Sequence, residues 1–193
     1  MSILSSTKTG KAAFLIPESK DELKQMIKNE IAKKGLNCDL NHIDVSKITD
    51  MSGLFAYSRF IGDISKWDVS NVKDMSYLFQ YSNFNSDISN WNVSNVENMC
   101  GLFYSSDFEK DISNWDVSKV EDMSYMFYSS NFNSDISNWN VNNVKDMYAL
   151  FACSDFNGDI SKWKINRSCR TINIFYECRI RDEYKPKNNK IMI

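Results

Sequence analysis

Aspartates recur in this chain at Asp63, Asp87, Asp111, Asp135 and Asp159, a constant step of 24, and a serine follows each by two, at Ser65, Ser89, Ser113, Ser137 and Ser161. Carboxylates and hydroxyls in register can hold a cation such as calcium, flank a glycosidic bond as acid and base, or face a basic partner. They can also do something plainer, because an aspartate side chain caps the turn that it opens. Copying of one unit explains the repetition, so repetition alone does not single out a chemistry. If the isoleucine between each pair points inward along a short strand, the aspartate and serine point outward. Strands in register lie about 4.8 Å apart. Like charges at that spacing repel by about 1 kcal/mol per pair in water. Serines, backbone amides, a cation or a basic partner must offset that repulsion. These two columns, on the concave face of a sheet, are the first candidate for a partner-binding surface.

A second candidate is aromatic. Tyr77, Tyr81, Tyr104, Tyr125 and Tyr128 occupy three nearby places in the same register. Exposed tyrosines offer large contact area at low entropic cost, although tyrosines packing sideways between neighbouring units fit the same spacing. Trp67, Trp91, Trp115, Trp139 and Trp163 form another column and resemble a stacking platform for sugars. Ile43 fills that place in the first unit, which indicates a buried apolar spine instead.

Other chemistry finds little footing. His42 is the only histidine, and no serine or cysteine stands at a nucleophile spacing from it; six glycines form no phosphate loop. Cys38, Cys100, Cys153, Cys169 and Cys178 include no CxxC, so neither a zinc site nor another metal is expected, and no cofactor. The cysteines read as free thiols of a reducing compartment, with Cys153 and Cys178 near enough in register to lie on neighbouring units. A net charge of −2 lacks the basic stripe of a nucleic-acid binder. No segment has the length and apolarity of a membrane span or a signal peptide, so by sequence alone the chain reads as cytoplasmic. An enzyme is not expected.

What must position these columns is a repeat. Six 24-residue units tile 39–182, at 39–62, 63–86, 87–110, 111–134, 135–158 and 159–182, the last a degenerate C-terminal cap. With the aspartate as position 1, apolar residues hold positions 2, 5, 7, 10, 13, 16, 17 and 22. A period of this size marks units that bury their faces only by stacking on one another. Positions 10, 13, 16 and 17 follow a three-and-four rhythm, and "SNVE" at 94–97 and "SKVE" at 118–121 have the form of capping boxes, so a helix is expected from about position 10 to 19. The "DIS" stretch suits a strand with one buried face. Residues 1–38 precede the array. They end in a helix opened by Ser19 and Glu22, stopped by Gly35, and covering the first unit with Leu23, Met26, Ile27 and Ile31. Residues 183–193 are a polar tail.

The pattern F-N-x-D-I-S-N-W-[DN]-V-[SN]-N-V-x-[DN]-M-x-x-[LM]-F, best kept at 84–103 and 132–151, resembles the BspA-like leucine-rich-repeat surface proteins, whose repeat is shared by mycoplasma lipoproteins of unknown function. The lead-in "IPESKDELKQMI" is similar to the helical segment ahead of such arrays, and the likeness covers about 14–182. The resemblance implies an α/β repeat solenoid, leucine-rich-repeat-like, of six strand–turn–helix units with a helical N-terminal cap. It also implies display at a cell surface or secretion, and adhesion. The expected function is a non-enzymatic interaction scaffold that binds a protein or other macromolecule through its concave sheet face, or alternatively a passive structural or glycan-binding surface element.

Overall fold

The computed structural model describes residues 15–187; residues 1–14 and 188–193, the latter most of the polar tail, lie outside that range. The helix ahead of the repeats forms as its caps predict. α1 spans Lys20–Lys34. The Ser19 hydroxyl accepts the Glu22 N–H at 3.2 Å, and Gly35, at φ 89°, closes the far end on the Ile31 carbonyl. Glu22 reaches back to the Glu18 N–H rather than that of Ser19, so the capping box is displaced by one residue. Leu23 and Ile27 are buried on the first coil of the array, with Met26 and Ile31 half-buried beside them. Glu30, on the same face, is buried too: it meets His42 Nε2 at 3.0 Å and pairs with Lys34, which holds its carboxyl below the usual range. The lone histidine therefore fastens the helix to the array.

Past α1, the expected α/β solenoid of strand–turn–helix units does not form. Among the described residues there is no strand, only seven isolated parallel bridges, and the one other helical element is a 3-10 turn at Asp182–Tyr184. The chain instead winds through turns, each coil of 24 residues lying on the next. The fourth coil shows the plan. Trp115 N–H returns to the Ile112 carbonyl, Val120 to Val117, Met126 to Met123, Tyr128 to Tyr125 and Ser130 to Phe127, all at 3.0–3.3 Å. Each of these bonds spans three residues. The first three have an apolar residue at both ends, so the spacing that reads as a helical rhythm is the span of a turn, with both feet planted in the core.

Between those bonds the backbone faces the neighbouring coil. Met123, Tyr125, Phe127 and Ser129 donate to Asp146, Tyr148, Leu150 and Ala152, each at 2.9 Å, and the other coils repeat the ladder. Half of the N–H groups from position 13 to position 20 thus close turns while the alternate half hold the stack. A helix would have needed them all. The geometry requires a left-handed backbone at positions 15 and 19: Gly53, Tyr77, Gly101, Tyr125, Ala149 and Asn173 at the first, Tyr57, Tyr81, Ser105, Ser129, Cys153 and Glu177 at the second, all with φ between 48° and 62°. No α-helix passes through such residues.

In each of the first five coils four polar side chains open the corners. In the fourth coil the carboxylates of Asp111, Asp116 and Asp122 accept the N–H two residues on, at 2.8, 3.0 and 2.7 Å, and the Ser130 hydroxyl accepts that of Phe132 at 3.0 Å. Ser94 and Ser118, expected as helix caps, are instead the N–H donors of such turns, to Asn92 and Asp116. The core is a set of stacked columns. Phenylalanines at position 17 follow one another at 5.6–6.0 Å and those at position 22 at 6.2–6.5 Å. The tryptophans are only 2–4% exposed. Each indole donates to the carbonyl of position 2 in the coil before, as Trp115 does to Ile88 at 3.2 Å. The spine reading holds, with a hydrogen bond added to it.

Candidate functional site

The aspartate and serine columns lie where no sheet exists. Among the described residues, direct backbone bonds join "DIS" stretches only in the first pair, Leu40 to Asp63 and Asp63 to Cys38. Later coils are joined there through side chains, as when Ser134 Oγ donates to Glu109 O and Asn157 N–H to Asn133 Oδ1. Equivalent rings separate by 4.7 Å between Tyr104 and Tyr128 at position 18, by about 5.8 Å at position 17, and by 6.4 Å between Trp139 and Trp163. In the middle coils the direct backbone bonds between coils run along the turn face, from position 11 to position 21. The "DIS" columns lie outside that ladder, and the sheet expected to carry them does not form.

The carboxylates of those columns are already in use. Asp63, Asp87, Asp111, Asp135 and Asp159 accept the N–H of Ser65, Ser89, Ser113, Ser137 and Ser161 at 2.8–2.9 Å. That amide holds the Asp63, Asp87 and Asp135 carboxyls below the usual range, and the Ser161 hydroxyl does so at Asp159. Shallow grooves run between the stretches. One is lined by Asp63, Ser65, Lys66, Ser86, Asp87 and Asn90, another by Asn133, Asp135, Ser137, Asn157, Gly158, Asp159 and Lys162. Among the described residues no three histidine, cysteine or acidic side chains are grouped to hold a metal ion. The five cysteines are unpaired.

The turn face is different. Its tyrosines, which the sequence places in separate columns, merge into one row. Tyr57 stacks on Tyr81 at 5.1 Å, Tyr81 leans on Tyr104 at 5.3 Å, and Tyr104 stacks on Tyr128 at 4.7 Å. Tyr125 meets Tyr128 at 6.0 Å and Tyr148 edge-on at 5.0 Å, and the guanidinium of Arg170 covers Tyr148 at 4.1 Å. Tyr57 is 71% exposed and Tyr81 47%, while Tyr104, Tyr125, Tyr128 and Tyr148 are half-buried. Tyr77 lies over Gly101, where its phenol oxygen accepts a 3.2 Å bond from the Cys100 thiol. Burial, then a bond with Tyr81, pushes the Tyr104 hydroxyl up to about 12; burial, then Tyr148, raises that of Tyr125. At neutral pH these phenols are donors. The row thus unites all the tyrosines expected except Tyr77, which stands aside, and adds Tyr57 and Tyr148. Tyr57 was legible at position 19 directly above Tyr81, whereas Tyr148, alone at position 14, had no column to announce it.

Along one edge of the row runs position 12: Asp50, Asp74, Asn98, Asp122, Asp146 and Arg170, bridged coil to coil. Each of the five acid or amide side chains accepts the N–H two residues on, at 2.7–2.9 Å. Chemically the face offers flat aromatic surface, phenolic donors and a line of carboxylates.

No helix among the described residues is long and apolar enough to cross a membrane. No curated protein and no solved structure matches the chain. A family model matches residues 21–130 and again 104–185, which together span most of the length. The chain belongs to that family, described as Mycoplasma protein of unknown function, DUF285.

Proposed function

We propose that this chain is a non-enzymatic interaction scaffold that binds another macromolecule along its turn face. The observation that carries the reading is the continuous row of stacked, part-exposed tyrosines. Stacking fixes the rings before any partner arrives, so little side-chain entropy remains to be lost on binding, and tyrosine contributes both area and a hydrogen-bond donor. The "DIS" columns are the weaker surface, because their carboxylates are committed to the turns they open. Display at a cell surface and adhesion, which the likeness to BspA-like proteins suggests, suit a scaffold of this kind.

The test replaces the row with residues that the chain itself carries at the same positions: Tyr57→Ser and Tyr81→Ser, as at Ser105 and Ser129, with Tyr104→Ala and Tyr128→Ala, as at Ala56 and Ala152. The intact chain and this variant are applied to an array of unrelated peptides and oligosaccharides. Ligands held by the parent and lost by the variant, with far-UV circular dichroism unchanged, support the reading. Equal binding by both, or binding of nothing by the parent, overturns it. A second reading, a passive surface element that recognises glycan or another ordered surface, is favoured by the regular polar lattice of the "DIS" columns. It predicts oligosaccharide binding that survives the tyrosine variant and falls with Asp87→Asn, Asp111→Asn and Asp135→Asn together.

A further inference from the structure

The ladder that joins the coils runs one way. In each of the first five coils the N–H groups of positions 13, 15, 17 and 19 donate to carbonyls of the coil that follows. In the sixth coil, among the described residues, the N–H groups of Thr171, Asn173, Phe175 and Glu177 meet no acceptor. Ile172 joins them. At its position every earlier coil bonds the N–H to the aspartate or asparagine two residues before, and here Arg170 carries no acceptor. Three consecutive amides thus stand without a partner inside a turn that Ile174 closes on Thr171, with Asn173 at φ 57°. Such a run of amides favours an oxygen acceptor that carries negative charge. The residues after the coil pass elsewhere: Tyr184 O takes the Ile160 N–H at 3.0 Å, and the Lys185 ammonium lies 5.7 Å from the centre of the Phe175 ring. Phe175 is half-buried where its five counterparts are 0–1% exposed, and Ile172 and Tyr176 are exposed. Charge changes sign at the same place. Residues 159–187 hold eight basic and four acidic side chains, a net of +4, whereas each of the five coils before is net negative.

We propose that this open end of the stack docks an extended, acidic segment of a partner protein. The segment lies along Thr171–Glu177 as the next rung, and its carbonyls at alternate residues take the N–H row as a following coil does elsewhere in the array. Its carboxylates meet Arg167 and Arg181, which are exposed, flank the row in sequence and pair with no carboxylate among the described residues. Arg170 and Arg179 are already paired with Asp146 and Asp155 of the coil before. Glu177, the one carboxylate within the row, turns back to the Cys153 thiol at 3.7 Å. A second copy of the chain is the poorer occupant. Two open ends face to face would set donor against donor. Head to tail, the matching carbonyls of Asp50, Ser52, Leu54 and Ala56 belong to the first coil, where α1 is packed and Lys20 is bonded to Asp50. The site is separate from the tyrosine row and does not depend on it. Because exposed arginines supply the charge, binding weakens with salt.

The experiment measures binding of a fluorescent peptide of four Glu-Thr pairs to the intact chain by anisotropy, beside peptides with glutamine or lysine in place of glutamate, and follows amide hydrogen exchange by NMR. The variant Arg167→Asn with Arg181→Asn has native precedent, since Asn143 and Asn157 hold those two positions one coil earlier. The glutamate peptide is expected to bind about fivefold more tightly than the glutamine one and to lose about fivefold on the double variant. It should slow exchange at Thr171, Asn173, Phe175 and Glu177 by about tenfold and leave Ala149 and Phe151, already held by the sixth coil, unchanged. Equal binding of the three peptides, binding that leaves the row's exchange as it was, or no binding overturns the proposal. An oligonucleotide that slows the same amides more than the glutamate peptide does makes the row a phosphate site and overturns it too. Slow exchange in the free chain that is lost when the chain is ended at Lys187 would name residues 188–193 as the occupant, and slow exchange that grows with protein concentration would name a second copy; either result sinks the partner segment. The four-tyrosine variant should bind the glutamate peptide as the parent does. If it does not, the peptide sits on the tyrosine row, and the end site falls while the scaffold reading stands.

Discussion

Gly101→Ala and Gly53→Ala decide between a helix and a chain of turns, because the two predict opposite signs. Both glycines hold position 15. In a helical segment, exchanging glycine for alanine stabilises by about 1 kcal/mol. Here Gly53 sits at φ 62° and Gly101 at φ 59°, in the left-handed region, where a Cβ costs about 1–2 kcal/mol. Part of that cost is offset by the lower entropy of the unfolded alanine chain. At Gly53 a Cβ would meet nothing within 4 Å, so the net loss is about 1 kcal/mol. At Gly101 the Cβ would overlap two atoms of the Tyr77 ring, which must swing away and surrender its bond from the Cys100 thiol. A bond of this sort contributes about 0.5–1.5 kcal/mol, which brings the loss to about 2 kcal/mol. Ala149 shows that alanine is accommodated at this position, so both variants should fold. Urea unfolding followed by tryptophan fluorescence gives the order: parent most stable, then Gly53→Ala, then Gly101→Ala, with the gap between the variants closing in the Tyr77→Ala background. A stabilised variant would refute the left-handed turns, and equal losses at the two sites would refute the packing of Tyr77 on Gly101.

The coil plan carries two more expected outcomes. Trp115→Phe removes the indole bond to Ile88; that carbonyl keeps its turn bond from Trp91, so the cost is one hydrogen bond plus the space left by the smaller ring, about 2–3 kcal/mol by urea unfolding. An unchanged midpoint would mean the indole does not join the coils. Stability should also fall in acid: the carboxyls of Asp63, Asp87 and Asp135 are held below their ordinary value by turn amides and that of Asp116 by the Ser118 hydroxyl, so their contribution is present above about pH 4 and is lost as pH drops through the lower folded values. Urea midpoints measured between pH 7 and pH 2.5 check this, and a midpoint flat across that range would contradict it.

What the sequence displayed most clearly was everything that recurs. A column such as Trp67 to Trp163 repeats because each coil must present the same surface above and below, and that requirement acts on side-chain identity, where it can be read. α1 was equally plain, since Ser19 and Gly35 mark its ends with residues whose chemistry is specific to helix termini. Backbone conformation between the columns was not plain. Apolar residues three apart serve an α-helix and a turn closed over three residues alike, and serine or aspartate at a corner caps either one. The residues that break the tie are Gly53 and Gly101, placed where a helix gains nothing from glycine. Their column is filled elsewhere by Tyr77, Tyr125, Ala149 and Asn173, which hides the signal.

The candidate site was obscured for a related reason. Rings at positions 18 and 19 belong to different columns, yet at a coil spacing near 5 Å a side chain reaches as far along the stack as across it. Tyr81 at position 19 therefore meets Tyr104 at position 18, and Tyr125 meets Tyr148 although their positions differ. The candidate surface on this stack is assembled diagonally, from residues that break the consensus, whereas the columns that keep it are occupied with holding the coils together. The "DIS" aspartates are the most regular polar residues in the chain and are bound to their own turns.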